Sequence, residues 1–283
     1  MRAWNPQANL RAEGMTVGVW EPFWLGAGEQ RLYAALHRAN LPSPRLGLVL
    51  APPLLHEQPR SRRLLTELAT ALAQEGVPCV RFDYFGTGDS DGSGEQLDFA
   101  SMRRDLQFAA DSLIARGGVE RIGVLAVRGA TLPVFSWLRG GGAANLLVLW
   151  EPVVDGESWL AELETRDAME RRSPLRYPTA AGAPPNGVSS DDLQLMGYPV
   201  STQLRRDIAQ ARVIDDGVRA FPRCWSVLRE DADMLPVTCE RVFRLPTDTP
   251  LIGGAVSMDA SVFVTPGLQR VVDELAQALR KER

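Results

Sequence analysis

The side chains able to do chemistry in this chain are few, and the imidazoles are fewest. Of 283 residues only two are histidine, His37 and His56, and three are cysteine, Cys79, Cys224 and Cys239. Imidazole is the group whose ordinary pKa suits general acid–base work near neutral pH. His56 stands beside Glu57 in the run 51–57 (APPLLHE), whereas His37 closes an extended segment and reads as a surface or hairpin residue. Cys79 lies inside an apolar run and reads as core. The three thiols show no metal-ligand spacing and cannot all pair, so reduced cysteines are expected. Glu57, Glu151 and Asp233 are carboxylates of the kind that work in acid/base pairs, but nothing in their spacing supports such a pair. Ser90 belongs to a glycine-rich turn, and Ser136 falls within a helical pattern.

These residues hang on a strand–helix alternation. Thr16–Phe23 and Gln30–His37, separated by Gly26-Ala27-Gly28, read as a hairpin. Leu46–Ala51 is a continuous apolar run, the mark of a strand buried on both faces. Leu64, Leu65, Leu68 and Leu72 recur at helical spacing within Arg60–Glu75, which stops at Gly76. Strands over Pro78–Tyr84, Arg121–Val127 and Asn145–Trp150 alternate with helices over Ser101–Arg116 and Ala130–Leu138. Short turns between them predict a mostly parallel sheet covered on both faces. After Trp150 the rhythm breaks: Val154–Arg212 holds charged helical stretches around a Pro/Gly-rich loop, Pro174–Gly187, with no strand before Pro222–Arg229. The helix Pro266–Arg280 closes the chain. The organisation expected is a core in two parts, 1–153 and 213–283, interrupted by a helical cap insertion, 154–212.

Composition narrows the function classes. Hydrophobic residues make up 45% and charged residues 23%, and 31 basic against 35 acidic side chains leave a net charge of −4. A nucleic-acid reader needs a basic excess gathered on one face, which this balance does not offer. No stretch approaches the roughly 18 apolar residues of a membrane span, and Met1–Leu10 lacks the basic and apolar regions of a secretion signal. A soluble, cytoplasmic protein is expected, without cofactor or metal. Lys281 is the single lysine among the basic residues, which reads as the codon usage of a GC-rich bacterial genome.

Residues 81–92 (RFDYFGTGDSDG) carry a family resemblance. The segment resembles the strand and turn that follow the oxyanion loop in serine-aminopeptidase-like α/β hydrolases. Asp83 ends a strand there, and Gly86 and Gly88 let the chain turn sharply. The run 51–57 with Arg60–Arg63 is similar to the loop that donates a backbone N–H to the oxyanion. Residues 149–156 (LWEPVVDG) and 196–200 (MGYPV) resemble the sixth strand and cap of the exosortase-associated and polysaccharide-cluster hydrolases. The likeness runs from about Trp20 to Pro236 and implies the α/β-hydrolase fold.

It also exposes what is missing. An active member places a serine in a Gly-x-Ser-x-Gly elbow between a buried strand and a helix. The matching stretch is 122–132 (IGVLAVRGATL). With Gly129 as the second elbow glycine, Val127 takes the nucleophile position; one residue on, Arg128 takes it, between Ala126 and Ala130. Neither side chain is a nucleophile, and a guanidinium stays protonated. Arginine at this elbow resembles a feature of the subgroup. Such an arginine faces the positive end of the next helix, so it either pairs with Asp83, Glu57 or Glu151 or holds an anion against the helix N–H groups.

The resemblance implies a catalytic histidine after the last strand, yet Thr247–Arg283 contains none. It places the triad carboxylate at Asp233 (or Asp231) in 228–236 (LREDADMLP), where it has no imidazole to orient. The residues left to catalysis are His56, Arg128 and Asp233. Those able to line a ligand crevice are Pro53, Leu54, His56, Glu57, Val127, Arg128, Trp150 and Glu151, with Trp159 nearby; strand ends in open α/β sheets face such a crevice. The function expected is a degenerate hydrolase fold binding a small molecule or a protein. The alternatives are an atypical hydrolase or acyltransferase acting on an ester, thioester or amide, and an interaction subunit acting through the insert helix Glu157–Arg172. The partners open to it are a small molecule, a second copy in a homodimer, or other subunits of a biosynthetic complex, with nucleic acid and membrane excluded.

Overall fold

The computed structural model describes residues 20–39, 45–172, 193–214, 222–232, 235–253 and 264–282. The loop Pro174–Gly187, residues 16–19 of the first expected strand, and Asp233 lie outside these residues. The chain opens with β1 (Trp20–Leu25) and β2 (Leu32–His37), followed by β3 (Leu46–Ala51), α1 (Glu57–Gln74), β4 (Cys79–Phe82) and α2 (Phe99–Gly117). Next come β5 (Arg121–Val127), α3 (Thr131–Arg139), β6 (Leu146–Trp150) and α4 (Gly156–Arg171). The remainder is β7 (Gln194–Leu195), β8 (Tyr198–Pro199), α5 (Thr202–Gln210), β9 (Arg223–Arg229), β10 (Arg241–Leu245) and α6 (Pro266–Arg280).

Eight strands form one sheet in the order β1-β2-β4-β3-β5-β6-β9-β10. The two ladders made by β2, to β1 and to β4, are antiparallel, and every other ladder is parallel. The apolar runs explain the layering, because a strand's side chains alternate between faces. Val49, Val124, Ala126, Leu147 and Leu149 face a core that also holds Met102, Leu106 and Leu113 of α2 and Phe135 of α3. Leu48, Leu50, Leu125, Val127, Val148 and Trp150 face the opposite core, with Leu64, Leu68 and Leu72 of α1 and Leu268, Val272 and Leu275 of α6. A strand with apolar residues on both faces has nowhere stable to sit except between two helical layers.

Two expectations need correction. His37 does end the second hairpin strand, but it is 1% exposed, and its Nε2 accepts a hydrogen bond from Arg81 Nε at 2.9 Å. The stretch between β6 and β9 also contains strand structure, the two-residue pair β7–β8. The charged helix there forms as expected: Glu162–Arg166 and Asp167–Arg171 are ion pairs four residues apart on α4, the spacing that brings side chains onto one helical face. Its apolar residues Trp159 and Leu163 join Leu204 and Ile208 of α5 in the core on the α2/α3 side. Among the described residues no helix is long and apolar enough to cross a membrane.

Candidate functional site at the β5–α3 elbow

A tight bend at the sheet's C-terminal edge joins β5 to α3. Arg128 follows Val127 directly and has φ +52°, the left-handed region that costs a non-glycine residue roughly 1–2 kcal/mol. A short 3-10 turn over Arg128–Ala130 then leads into α3. The bend is tied down from both sides: the Thr131 hydroxyl and the Val153 backbone N–H both donate to the Arg128 carbonyl. Of the two registers open in the sequence, the structure puts Arg128 at the apex. Val127 is 1% exposed and points into the α1/α6 core.

The apex guanidinium does not face solvent alone. Arg128 Nη2 and Nε donate to Glu57 Oε1 at 3.2 and 3.3 Å, and Nη1 reaches the Glu151 carbonyl at 3.4 Å. Glu57 opens α1 and is fully buried. Burial raises its carboxyl pKa, and Arg128 opposes that rise. Removing one member of such a pair strands the other charge in a low-dielectric site. Asp83, a third carboxylate within the expected set, is engaged elsewhere: it accepts from Arg62 Nη2 at 2.6 Å, Gln58 Nε2 at 3.1 Å and the Asp89 backbone N–H at 3.0 Å. Those bonds close the turn in which Gly86 and Gly88 have φ +78° and +55°.

Around the pair lie buried polar atoms without a hydrogen-bond partner among the described residues. They are both ring nitrogens of His56, Glu57 Oε2 and Glu151 Oε2. His56 is 2% exposed. Burial, then Arg60, Arg166 and Arg128, push its pKa down to about 4, so at neutral pH it is an uncharged imidazole with one donor and one acceptor. Glu151 sits just past β6 with φ +42°, and its other oxygen, Oε1, accepts from Arg229 Nε at 2.7 Å. Buried polar groups without partners are uncommon in folded proteins and call for a ligand, water or strain to account for them.

Two further elements close over the elbow. The Trp159 indole of α4 packs so near Gly129 that a Cβ there would lie 2.5 Å from its ring. After β10 the chain passes directly above the ion pair, where a Cβ on Gly253 would fall 2.5 Å from Arg128 Nη2 and 2.6 Å from Glu57 Oε1. That segment is held by Arg60, whose Nη2 donates to the Leu251 carbonyl at 3.2 Å, and by Arg166 of α4, which donates to the Gly253 carbonyl.

Of the expected site residues, then, Glu57, Arg128 and the main chain of Glu151 come within hydrogen-bonding distance, and His56 lies within electrostatic reach of Arg128. Pro53 and Leu54 are buried, with Leu54 packed into the α2/α3 core. Trp150 is 1% exposed and lies in the α1/α6 core. Asp231 is exposed. Sequence reasoning missed Arg166, Arg229 and Gly253. Arg166 carries an i,i+4 glutamate that reads as a solvated face, and Gly253 sits in an unpatterned loop, so neither left a usable signal.

Solved structures with the same architecture include Est1E from Butyrivibrio proteoclasticus with bound ferulic acid, 15% identical over 92% of this chain and 98% of that one, TM-score 0.58. Alpha/beta hydrolase domain-containing protein 10 from mouse is 11% identical over 93% and 100%, TM-score 0.54. An alpha-beta serine hydrolase homologue from Coxiella burnetii is 14% identical over 96% and 99%, TM-score 0.50. No protein-family model and no curated protein sequence matches the chain. Identities this low speak to architecture alone, and on that architecture the chain has the α/β-hydrolase fold.

Proposed function

We propose that this protein is a catalytically degenerate α/β hydrolase of the serine-aminopeptidase-like group, whose former active-site crevice binds a small polar molecule. The observation that carries the reading is Arg128 at the elbow apex, ion-paired to buried Glu57. Acyl transfer needs an attacking atom that can lose its proton and a base within hydrogen-bond reach of it. A guanidinium offers no lone pair for attack, and His56 makes no hydrogen bond among the described residues that would orient it as a base. Glu57 already neutralises Arg128, which favours an uncharged ligand over an anion. Such a ligand, carrying hydroxyl or amide donors, would satisfy Glu57 Oε2, Glu151 Oε2 and the His56 ring.

The experiment is a pair of assays on the purified chain. A fluorophosphonate probe is expected to leave it unlabelled, and p-nitrophenyl acetate to hydrolyse at the buffer rate. Ester turnover that disappears in His56→Ala would overturn the degenerate reading. Binding is read by thermal shift with glycerol, simple sugars and simple amides set against acetate and phosphate. Stabilisation by the hydroxylated or amide compounds, lost in Glu151→Gln, is expected; stabilisation by the anions alone would argue against the ligand class.

A further inference from the structure

The second cluster of reactive side chains lies far along the sheet from the elbow. Cys224 is the second residue of β9, and Cys239 stands just before β10, the parallel edge strand beside it. The Glu240 backbone N–H donates to the Cys224 carbonyl at 2.7 Å, which locks the start of one strand against the other. The two sulfurs are 3.0 Å apart although the residues are 15 apart in sequence. Cys224 is 1% exposed, whereas Cys239 is half-buried at the rim of the same core.

We propose that Cys224 and Cys239 are a redox-modification site, closing reversibly to an intramolecular disulfide when the protein meets a peroxide. A disulfide needs its two sulfurs about 2 Å apart, so closure asks for an approach of about 1 Å, within the reach of small side-chain rotations. The two thiols divide the work. The contact with Cys224 holds the Cys239 thiol down to about 7, while the same contact, and then burial, push Cys224 up. Cys239 is therefore the one that ionises and meets the oxidant, since the thiolate is the nucleophile.

The chemistry balances with hydrogen peroxide as the oxidant. The Cys239 thiolate attacks one peroxide oxygen, forming an S–O bond and breaking the O–O bond; the departing hydroxide takes a proton and becomes water. The Cys224 sulfur then attacks the Cys239 sulfur, forming the S–S bond and expelling the second hydroxide, which leaves as water with the Cys224 proton. Two thiols are oxidised and one peroxide is reduced to two waters. Such sulfenic-to-disulfide closure is the usual fate of a thiolate with a second thiol beside it. Cys79 stays out of it: it is buried in the opposite core, and burial pushes its thiol up.

The full chain is treated with hydrogen peroxide, quenched, and weighed intact. The expected product is lighter by two hydrogens, carries no disulfide between chains, yields one crosslinked peptide pair containing Cys224 and Cys239, and returns to the starting mass with dithiothreitol. Its thermal unfolding midpoint is expected to rise by roughly 5 °C, from the loop the bond would close. Cys239→Ser is expected to remove the mass loss and the shift, and Cys79→Ser to keep both. Should Cys224→Ser fail to fold, the rim variant Cys239→Ser carries the comparison alone. Oxygen addition at Cys239 with Cys224 still reduced, a bond to Cys79 or between two chains, or no reaction at all would each overturn the proposal.

Discussion

Arg128 and Glu57 meet at 3.2 Å across 71 residues of sequence, one at the apex of the β5–α3 elbow and the other in the first turn of α1. The contact joins the β5–α3 elbow to the start of α1. It also fills the apex with a cation already satisfied by a neighbouring carboxylate, and the energetics of that pair can be measured.

Glu57→Gln is expected to destabilise the protein by about 3 kcal/mol, because it leaves the Arg128 charge buried with a weaker partner. Arg128→Leu is expected to cost less. The stranded Glu57 can take up a proton, and burial already raises its pKa. The double variant is expected to recover about 1–3 kcal/mol of the summed loss, the coupling typical of residues in direct contact. Urea unfolding of the four proteins checks this; additive losses would mean that the pair contributes nothing as a pair.

Arg128→Ser would restore a hydroxyl to the apex, yet it is expected to stay at the background rate toward p-nitrophenyl acetate and to resist fluorophosphonate labelling. A serine hydroxyl alone is a poor nucleophile without a base to accept its proton. Among the described residues His56 has no partner that orients it, and its pKa is far from neutrality. Steady-state rates of the variant against wild type, both corrected for buffer hydrolysis, give the answer. Labelling of the variant would show that a working base lies within reach after all.

The elbow was legible from sequence because its two flanks are: an apolar strand run, Ile122–Val127, and an apolar helix start, Leu132–Phe135, leave little room for the bend. What stands at the apex was legible only to within one residue, since Gly129 satisfies the elbow pattern in one register and Ala126 with Ala130 approximate it in the other. Backbone geometry, not residue type, separates the two. The choice of Glu57 over Asp83 depends on which loop closes over which, a long-range fact with no local signal. β10 was missed for a different reason. Its RVFRL run is an edge strand exposed over much of its length, so two arginines interrupt the continuous apolar run that marks β3 or β6.

Stability is expected to fall as pH drops from 7 to 5. His37 and His56 are both pushed down to about 4, in each case mainly by burial, against about 6.5 for an imidazole in the unfolded chain. Unfolding therefore takes up protons between those values. The contribution of each imidazole is fully present above pH 6.5 and is lost as pH falls toward 4, about 2 kcal/mol apiece by pH 5. Asp105 opposes this: burial raises it to about 6, so the folded state binds its proton first and gains about 1 kcal/mol over the same interval. Glu57, also raised, acts in the same direction as Asp105. Urea midpoints at pH 7 and 5 should show a net loss, and His37→Gln or His56→Gln should flatten the dependence. An unchanged slope in both variants would mean that neither imidazole is neutral in the fold.

Gly253→Ala probes the segment above the ion pair. The added methyl would sit 2.5 Å from Arg128 Nη2 and 2.6 Å from Glu57 Oε1. Backbone strain does not enter, because Gly253 is not among the glycines with positive φ. The cost comes from overpacking, about 1–3 kcal/mol, since Glu57 is fully buried and the guanidinium cannot swing away without breaking its bond to Glu57. In an Arg128→Leu background the Nη2 atom is gone and much of the clash goes with it, so the same Gly253→Ala change is expected to cost markedly less. Unfolding free energies of the single and double variants settle the matter. An equal penalty in both backgrounds would place the cost in the loop itself and detach this segment from the pair beneath it.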